Sequence, residues 1–261
     1  MTTETTLTTV TGTAKEELET LLSTVNTERM NREFETMVSD SQSWPIYSLK
    51  NGITIRKRLS DNQWIASGML PFDMATALEL LTDPLTRLTW DKVMQTYMTL
   101  HHVQVALPAL PPACSATASL TYTRVAPAVG GMISSRDFLD VSVVVHPATN
   151  TEDTVVDPTE NLTNPALHYS LIWESIGDTL SLNADVTPFL PATATPAIRA
   201  HNYLGGCRLS PSSDSPSSCI MHYCIRSDIK GSVPAWLVDM GIGGSFDSIY
   251  NELRKAKVNK K

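Results

Sequence analysis

Six histidines and four cysteines are the residues of this chain best suited to metal or nucleophilic chemistry, and their spacing argues against both. Cys114, Cys207, Cys219 and Cys224 form no C-x-x-C pair and have no histidine at zinc-finger spacing. They read as reduced thiols packed in a core, so no metal site is expected. His101 and His102 are neighbours in a strand-like run, where successive side chains take opposite faces and do not share a metal. His168, His201 and His222 fall on separate strand candidates without the Asp or Glu spacing of a triad, and each reads as a hydrogen-bonded structural histidine. The sequence has no G-x-S-x-G and no H-E-x-x-H, and Gly241-Ile-Gly-Gly lies inside a helical pattern rather than directly after a strand. Catalytic residues need not be sequence neighbours. The pair a cavity enzyme (a cyclase or hydrolase on a polyketide-like substrate) would draw on is Asp140 with His222.

Binding is better supported than catalysis. In the run Arg136 to Val145, Leu139, Val141, Val143 and Val145 form one apolar face by strand alternation, while Phe138, Asp140, Ser142 and Val144 form a mixed one. Such a face suits either water or a ligand cavity with a few polar fixtures. Just upstream, the loop 126–135 carries Val129, Met132 and Ile133 around two glycines, as a loop does when its tip covers something apolar or touches a membrane.

These residues need elements to hold them. The chain ends in an amphipathic helix: Pro234 suits a first turn, and Val238, Ile242, Ile249 and Leu253 recur on one stripe beside Phe246. Gly241, Gly243 and Gly244 interrupt it, each costing about 1 kcal/mol of helix propensity against Ala. Close approach of another element, a bend, or tight packing on a sheet would each explain them. Upstream, Ala14 to Val38 has a helical pattern. Ile46 to Ser60 and Gln63 to Leu70 are strand-like, with turns at Asn51-Gly52 and Asp61-Asn62. Asp73 to Trp90 is helical with a break at Asp83-Pro84. Further strands are expected over Val93–Gln104, Ala116–Val125, Asp137–His146, Leu167–Ile176, Ala197–Leu209 and Ser218–Ser227. No βαβ alternation is visible, so the sheet is expected to be mostly antiparallel and the class α+β, with sheet and last helix enclosing a space.

A chain of 261 residues with 42% apolar content can bury a real core. Its net charge of −7 speaks against nucleic acid as a partner. The opening MTTETTLTTVTGTAKEE has neither a basic n-region nor an apolar h-region, and no run is long enough to span a membrane, from which a cytoplasmic location is expected. Residues 1–13 are Thr-rich and expected to be disordered, 14–257 to form one domain, and 258–261 a basic tail. The cations from Lys255 onward either favour the helix dipole or touch an anionic membrane surface.

Three stretches resemble one family, the START (StAR-related lipid-transfer) domains: Trp90-Asp91; Ile133-Ser-Ser-Arg-Asp-Phe-Leu-Asp140; and Ser227-Asp-Ile-Lys-Gly-Ser-Val-Pro234 with Phe246-Asp-Ser-Ile-Tyr-Asn-Glu-Leu-Arg-Lys255. Ile198 to Tyr203 adds a fourth. The resemblance is nearest to the small stand-alone cytosolic sterol carriers. It implies the helix-grip fold, a curved antiparallel sheet around a long C-terminal helix enclosing a lipid tunnel. It also implies a monomeric, non-enzymatic carrier without cofactor, holding one hydrophobic ligand of the sterol or carotenoid class and meeting membranes transiently. The implied lipid site comprises Tyr122, Thr123, Phe138, Asp140, Ser142, Trp173 and His222, with Ile242, Ser245, Phe246 and Ile249 from the helix. The implied gate comprises Val129, Met132 and Ile133 of the loop 127–135 with Gly241, Gly243 and Gly244. Arg136, Asp137, Asp228 and Lys230 match positions read as structural. Cholesterol-carrying relatives place an acidic residue and an arginine where Thr123 and Ser142 align. Losing both partners together is physically coherent, because one unpaired buried charge would cost several kcal/mol.

Overall fold

Asn51 and Gly52 both take positive φ, 54° and 66°, the backbone that a two-residue hairpin turn needs, and they join β1 (Ile46–Lys50) to β2 (Ile53–Arg58). Asn62, at φ 56°, helps turn the chain from β2 into β3 (Gln63–Leu70). A computed structural model describes residues 13–106, 114–147, 168–176, 190 and 197–256. Before the first hairpin lie α1 (Thr13–Thr24) and α2 (Thr27–Asp40); after it come α3 (Met74–Thr82) and α4 (Pro84–Trp90). Three long strands follow, β4 (Met94–Val105), β5 (Ser115–Val125) and β6 (Arg136–His146), then β7 (Tyr169–Ser175). Short pieces β8 (Ile198–Arg199) and β9 (His201–Asn202) lead to β10 (Gly205–Pro211), β11 (Cys219–Ile225), β12 (Ser227–Asp228) and the final α5 (Ala235–Leu253).

The main sheet runs β1-β2-β3-β11-β10-β7-β6-β5-β4, and β9 pairs separately with β12. The pairing is antiparallel except where β8 lies parallel to β6. Helices cover both faces. On one, Met30, Phe34 and Met37 of α2 pack over Val141, Val143 and Val145 of β6. On the other, α3, α4 and α5 meet Ile53, Ala66, Leu171 and Cys207. Each large side chain buried this way contributes about 1.5–3 kcal/mol relative to exposure. The α+β helix-grip arrangement expected from the sequence is the one observed.

The anchoring of α5 is concentrated at its C-terminal end. There the buried Tyr250 hydroxyl is 2.9 Å from the Ala66 carbonyl and 2.7 Å from that of Met221. Arg254 donates to the carbonyls of Met69 and Asn51, at 3.0 and 2.7 Å. Nearer its start, Asp239 pairs with Lys57 at 2.6 Å.

Two expectations about elements need correction. The first helical stretch is two helices, because the Asn26 side chain accepts from the Arg29 amide at 2.8 Å and caps a new start. The strand expected over Ala197–Leu209 is three pieces, because the chain first follows β6 and then leaves it to pair with β12. Residues 1–12, the loop with Pro108, Pro111 and Pro112, the loop 148–167 and the basic tail 258–261 lie outside the described residues.

Candidate functional site: a cavity between sheet and last helix

Strand alternation decides which side chains meet α5. On β6, Arg136, Phe138, Asp140 and Ser142 point to the helix side, while Val141, Val143 and Val145 point into the core beneath α2. Thr121 and Thr123 of β5, Trp173 of β7 and Tyr223 of β11 join the first set. Opposite them, α5 presents Ile242, Ser245, Phe246 and Ile249 at spacings of three, one and three, one helical face. Between sheet and helix lies a cavity of about 220 Å³. Most of its wall is apolar, with two polar places.

The first is Asp140. Its carboxylate accepts from the Ser175 hydroxyl at 2.5 Å and from the Asn202 side-chain amide at 2.9 Å. Ser175 is itself held by the Asn202 backbone N–H at 2.8 Å. Thr121 and Ser142 share a hydrogen bond of 2.9 Å alongside. Arg199, whose charge bears on Asp140, is engaged by Asp137 at 2.9 Å. Burial pushes the Asp140 carboxyl up to about 6, against the opposing pull of Ser175 and Asn202.

The second place is at α4. Arg87 and Asp91 form an ion pair at 2.8 Å, with side chains only 5% and 2% exposed. Arg87 also donates to the Leu81 carbonyl at 3.1 Å and lies over the Trp90 ring at 4.8 Å. Tyr97 of β4 also lines the cavity, and burial pushes its hydroxyl up, opposed by the charge of Arg87 and aided by that of Asp140.

The expected lipid-site residues divide. Thr123, Phe138, Asp140, Ser142, Trp173, Ile242, Ser245, Phe246 and Ile249 line the cavity. Tyr122 and His222 do not, and the reason is parity. Tyr122 sits between two cavity-facing threonines, so its ring joins Leu18, Leu100 and Leu139 and its hydroxyl reaches Asp137 at 3.2 Å. His222 precedes Tyr223 and faces away, bonded to Ser67 at 2.9 Å near the part-buried Glu35–Arg208 pair. Burial lowers its imidazole to about 4. Asp140 and His222 thus occupy opposite faces of the sheet and form no dyad.

Of the expected gate residues, Ile133 and Gly241 reach the cavity. Gly241 lets the loop approach: a Cβ there would lie 3.2 Å from the Ile133 Cδ1 and 3.6 Å from a Val129 methyl. Gly243 lies under Tyr47 in the same way, at 3.2 Å, whereas Gly244 faces open space. The helix runs unbroken through all of them. Met132 is 61% exposed. Val129 has φ 50°, a strained backbone for a β-branched residue. Arg136 lines the wall, but its guanidinium is spent on the carbonyls of Ser134, Ile229 and Lys230. Arg124, the buried neighbour of Thr123, turns away from the cavity to Ser135 and Gln95.

Asn202, Tyr97, Tyr223 and the Arg87–Asp91 pair were not foreseen as cavity residues. The pair had a readable signal, four-residue spacing on a helix, but that spacing usually marks a solvated pair. No group of three or more His, Cys, Asp or Glu arranged to hold a metal is found among the described residues.

A long helix gripped by a mostly antiparallel sheet around a chiefly apolar cavity defines the helix-grip class of ligand-binding domains. The START domain family model matches residues 24–156 and 177–255, and the chain belongs to that family, whose members are lipid-binding and lipid-transfer proteins. Human StAR-related lipid transfer protein 5 superposes with a TM-score of 0.60 at 18% identity, covering 93% of this chain and 95% of that one. Human STARD10 gives 0.54 at 16%, covering 86% and 80%. The lipid transfer and protein localization domain of human StarD13 gives 0.52 at 15%, covering 88% and 98%. At such identities the likeness is one of fold. A comparison with curated protein sequences finds no match. Among the described residues no helix is long and apolar enough to cross a membrane.

Proposed function

We propose that this protein is a cytoplasmic, non-enzymatic lipid carrier that holds one sterol- or carotenoid-class ligand, without a cofactor, between its sheet and α5. The observation that carries the reading is the cavity: an apolar wall with a small number of hydrogen-bonding fixtures at Asp140, Ser142 and Thr121. Removing an apolar ligand from water supplies about 25 cal/mol per Å² of buried surface, ample for binding without any charge pair. The volume of about 220 Å³ lies below the roughly 300–1,000 Å³ of drug-sized sites. A ligand of this class therefore widens the cavity as it enters, and the loop 127–135 with the first half of α5 is the part that gives way. Ser142 and Thr123 add no further charge to a wall that already holds Asp140 and the Arg87–Asp91 pair.

The test is an organic extract of the protein purified from its native tissue, read by visible absorption and mass spectrometry. A polyene band assigns the carotenoid class, and a colourless extract with one stoichiometric sterol assigns the other. An extract with neither, from protein that also fails to move either lipid between vesicles, defeats the proposal.

A further inference from the structure

Trp173 of β7 and Gly205 of β10 are direct cross-strand partners, and the indole that lines the cavity lies against the space a side chain at 205 would fill. A Cβ on Gly205 would stand 2.5 Å from the Trp173 Nε1 and 2.8 Å from its Cε2, with the Cys224 carbonyl oxygen 3.1 Å away. Gly205 does not take positive φ, so close approach, and not backbone freedom, excludes a side chain there. The strand has no room to retreat, because β10 is paired with β7 on one edge and β11 on the other. Non-bonded carbon atoms sit roughly 3.5–4.0 Å apart. Any residue larger than glycine therefore drives the indole off the sheet by about 1 Å, and the space on that side is the cavity. The push does not end at Trp173. Its ring meets Tyr223 of β11 at 5.4 Å between centroids, and Tyr223 meets Phe246 of α5 at 5.8 Å. Three rings in series thus run from the β10 backbone to the gripping helix.

Gly206 supplies an internal contrast. A side chain there would collide with the ring of Phe34 of α2, which packs on the face of the sheet away from the cavity. Two adjacent glycines seat one ring each on opposite faces, and only the Trp173 ring borders the ligand space. Resting on the carrier reading above, we infer that Gly205 is a positioning residue that sets the depth of the cavity through Trp173, and so fixes the longest apolar ligand the protein accepts. A cavity of about 220 Å³ has to widen for a sterol- or carotenoid-sized ligand, and a wall moved inward at Trp173 takes its room from the longest ligand first.

The test measures binding of two matched pairs of probes: cholesterol against the analogue that lacks its side chain, and β-carotene against its half-length hydrocarbon analogue. On whichever scaffold binds, Gly205→Ala is expected to weaken the full-length probe by about tenfold or more relative to the short one, the discrimination that a single methylene of misfit gives in an apolar pocket. Trp173→Phe alone is expected to shift the ratio toward the full-length probe, and in the Gly205→Ala background to bring it back to the wild-type value. Gly206→Ala, which strains Phe34 instead, is expected to lower the melting temperature and keep the wild-type ratio. An unchanged ratio in Gly205→Ala, an equal loss of both probes, or the same shift in Gly206→Ala overturns the inference and leaves the carrier reading standing. If Gly205→Ala does not fold, Trp173→Phe decides, and a wild-type ratio in that variant overturns the inference. Wild-type protein that binds neither pair overturns the carrier reading and the inference with it.

Discussion

Asp140 and His222 are buried titratable groups on opposite faces of one sheet, and they pull the pH dependence of stability in opposite directions. Asp140 titrates at about 6 in the folded protein and near the ordinary value of about 3.9 when unfolded. Between these values the native state holds the extra proton, so this contribution is present at low pH and lost as pH rises through 6. His222 titrates at about 4 when folded and near 6.5 when unfolded. Its contribution is present above about 6.5 and lost as pH falls toward 4. Each full swing is on the order of 3 kcal/mol, so the two largely cancel between pH 4 and 6. We expect Asp140→Asn to become more acid-sensitive than wild type and His222→Gln less so, as read from urea unfolding at pH 4.5 and 7.5. Parallel profiles for the two variants would contradict this. Where strand alternation in the sequence misplaces a cavity-facing residue, the difference is one position. Strand alternation was plain in Arg136 to Val145, so Phe138, Asp140 and Ser142 reach the cavity. Tyr122 and Thr123 are neighbours in β5 and cannot both face inward. In β11 the polar His222 drew attention from Tyr223, although burial of a neutral histidine under α2 suits its surroundings. Tyr97 was harder to find, because β4 carries bulges on both sides of it, between Met94 and Thr96 and between Thr99 and His101, which shift the alternation.

At the scale of elements, the glycines of α5 differ in what they do. Gly241 and Gly243 admit Ile133 and Tyr47 to the helix backbone, while Gly244 meets nothing. Gly244→Ala is expected to stabilise the fold by about 1 kcal/mol through helix propensity alone. If the helix must bend there to release a ligand, transfer between vesicles slows; raised stability with unchanged transfer would show that α5 works as a rigid piece. Gly241→Ala forces Ile133 to yield by a few tenths of an ångström and should speed ligand exchange by loosening the loop. Tyr250→Phe removes a hydroxyl bonded to two strands and is expected to cost about 1–2 kcal/mol in thermal unfolding. Element types were largely readable: local chemistry sets the Asn51-Gly52 turn and the bounds of β3. Breaks made by distant contacts were not, since the split of β8 from β9 depends on β6 and β12.

Several large apolar side chains are exposed over the whole molecule, three of them beside the loop and the start of α5. Trp236 and Met240, one helical turn apart near the start of α5, are 60% and 48% exposed, and Met132 stands out from the loop that packs on Gly241. Trp44, Trp64 and Trp90 are 5% exposed or less and Trp173 lines the cavity, so a change of tryptophan emission caused at the surface should come chiefly from Trp236. Addition of neutral phosphatidylcholine vesicles is expected to shift that emission to the blue, and Trp236→Phe to remove the shift; an unshifted wild-type spectrum would exclude this edge from membrane contact. Arg136 gives this edge its mechanics. Its guanidinium holds Ser134 of the loop together with Ile229 and Lys230 of the segment that leads into α5. The loop and the segment before α5 are therefore pinned to a single rivet. Release of either side from Arg136 is therefore expected to loosen the other, with the Tyr250 and Arg254 end of the helix still held.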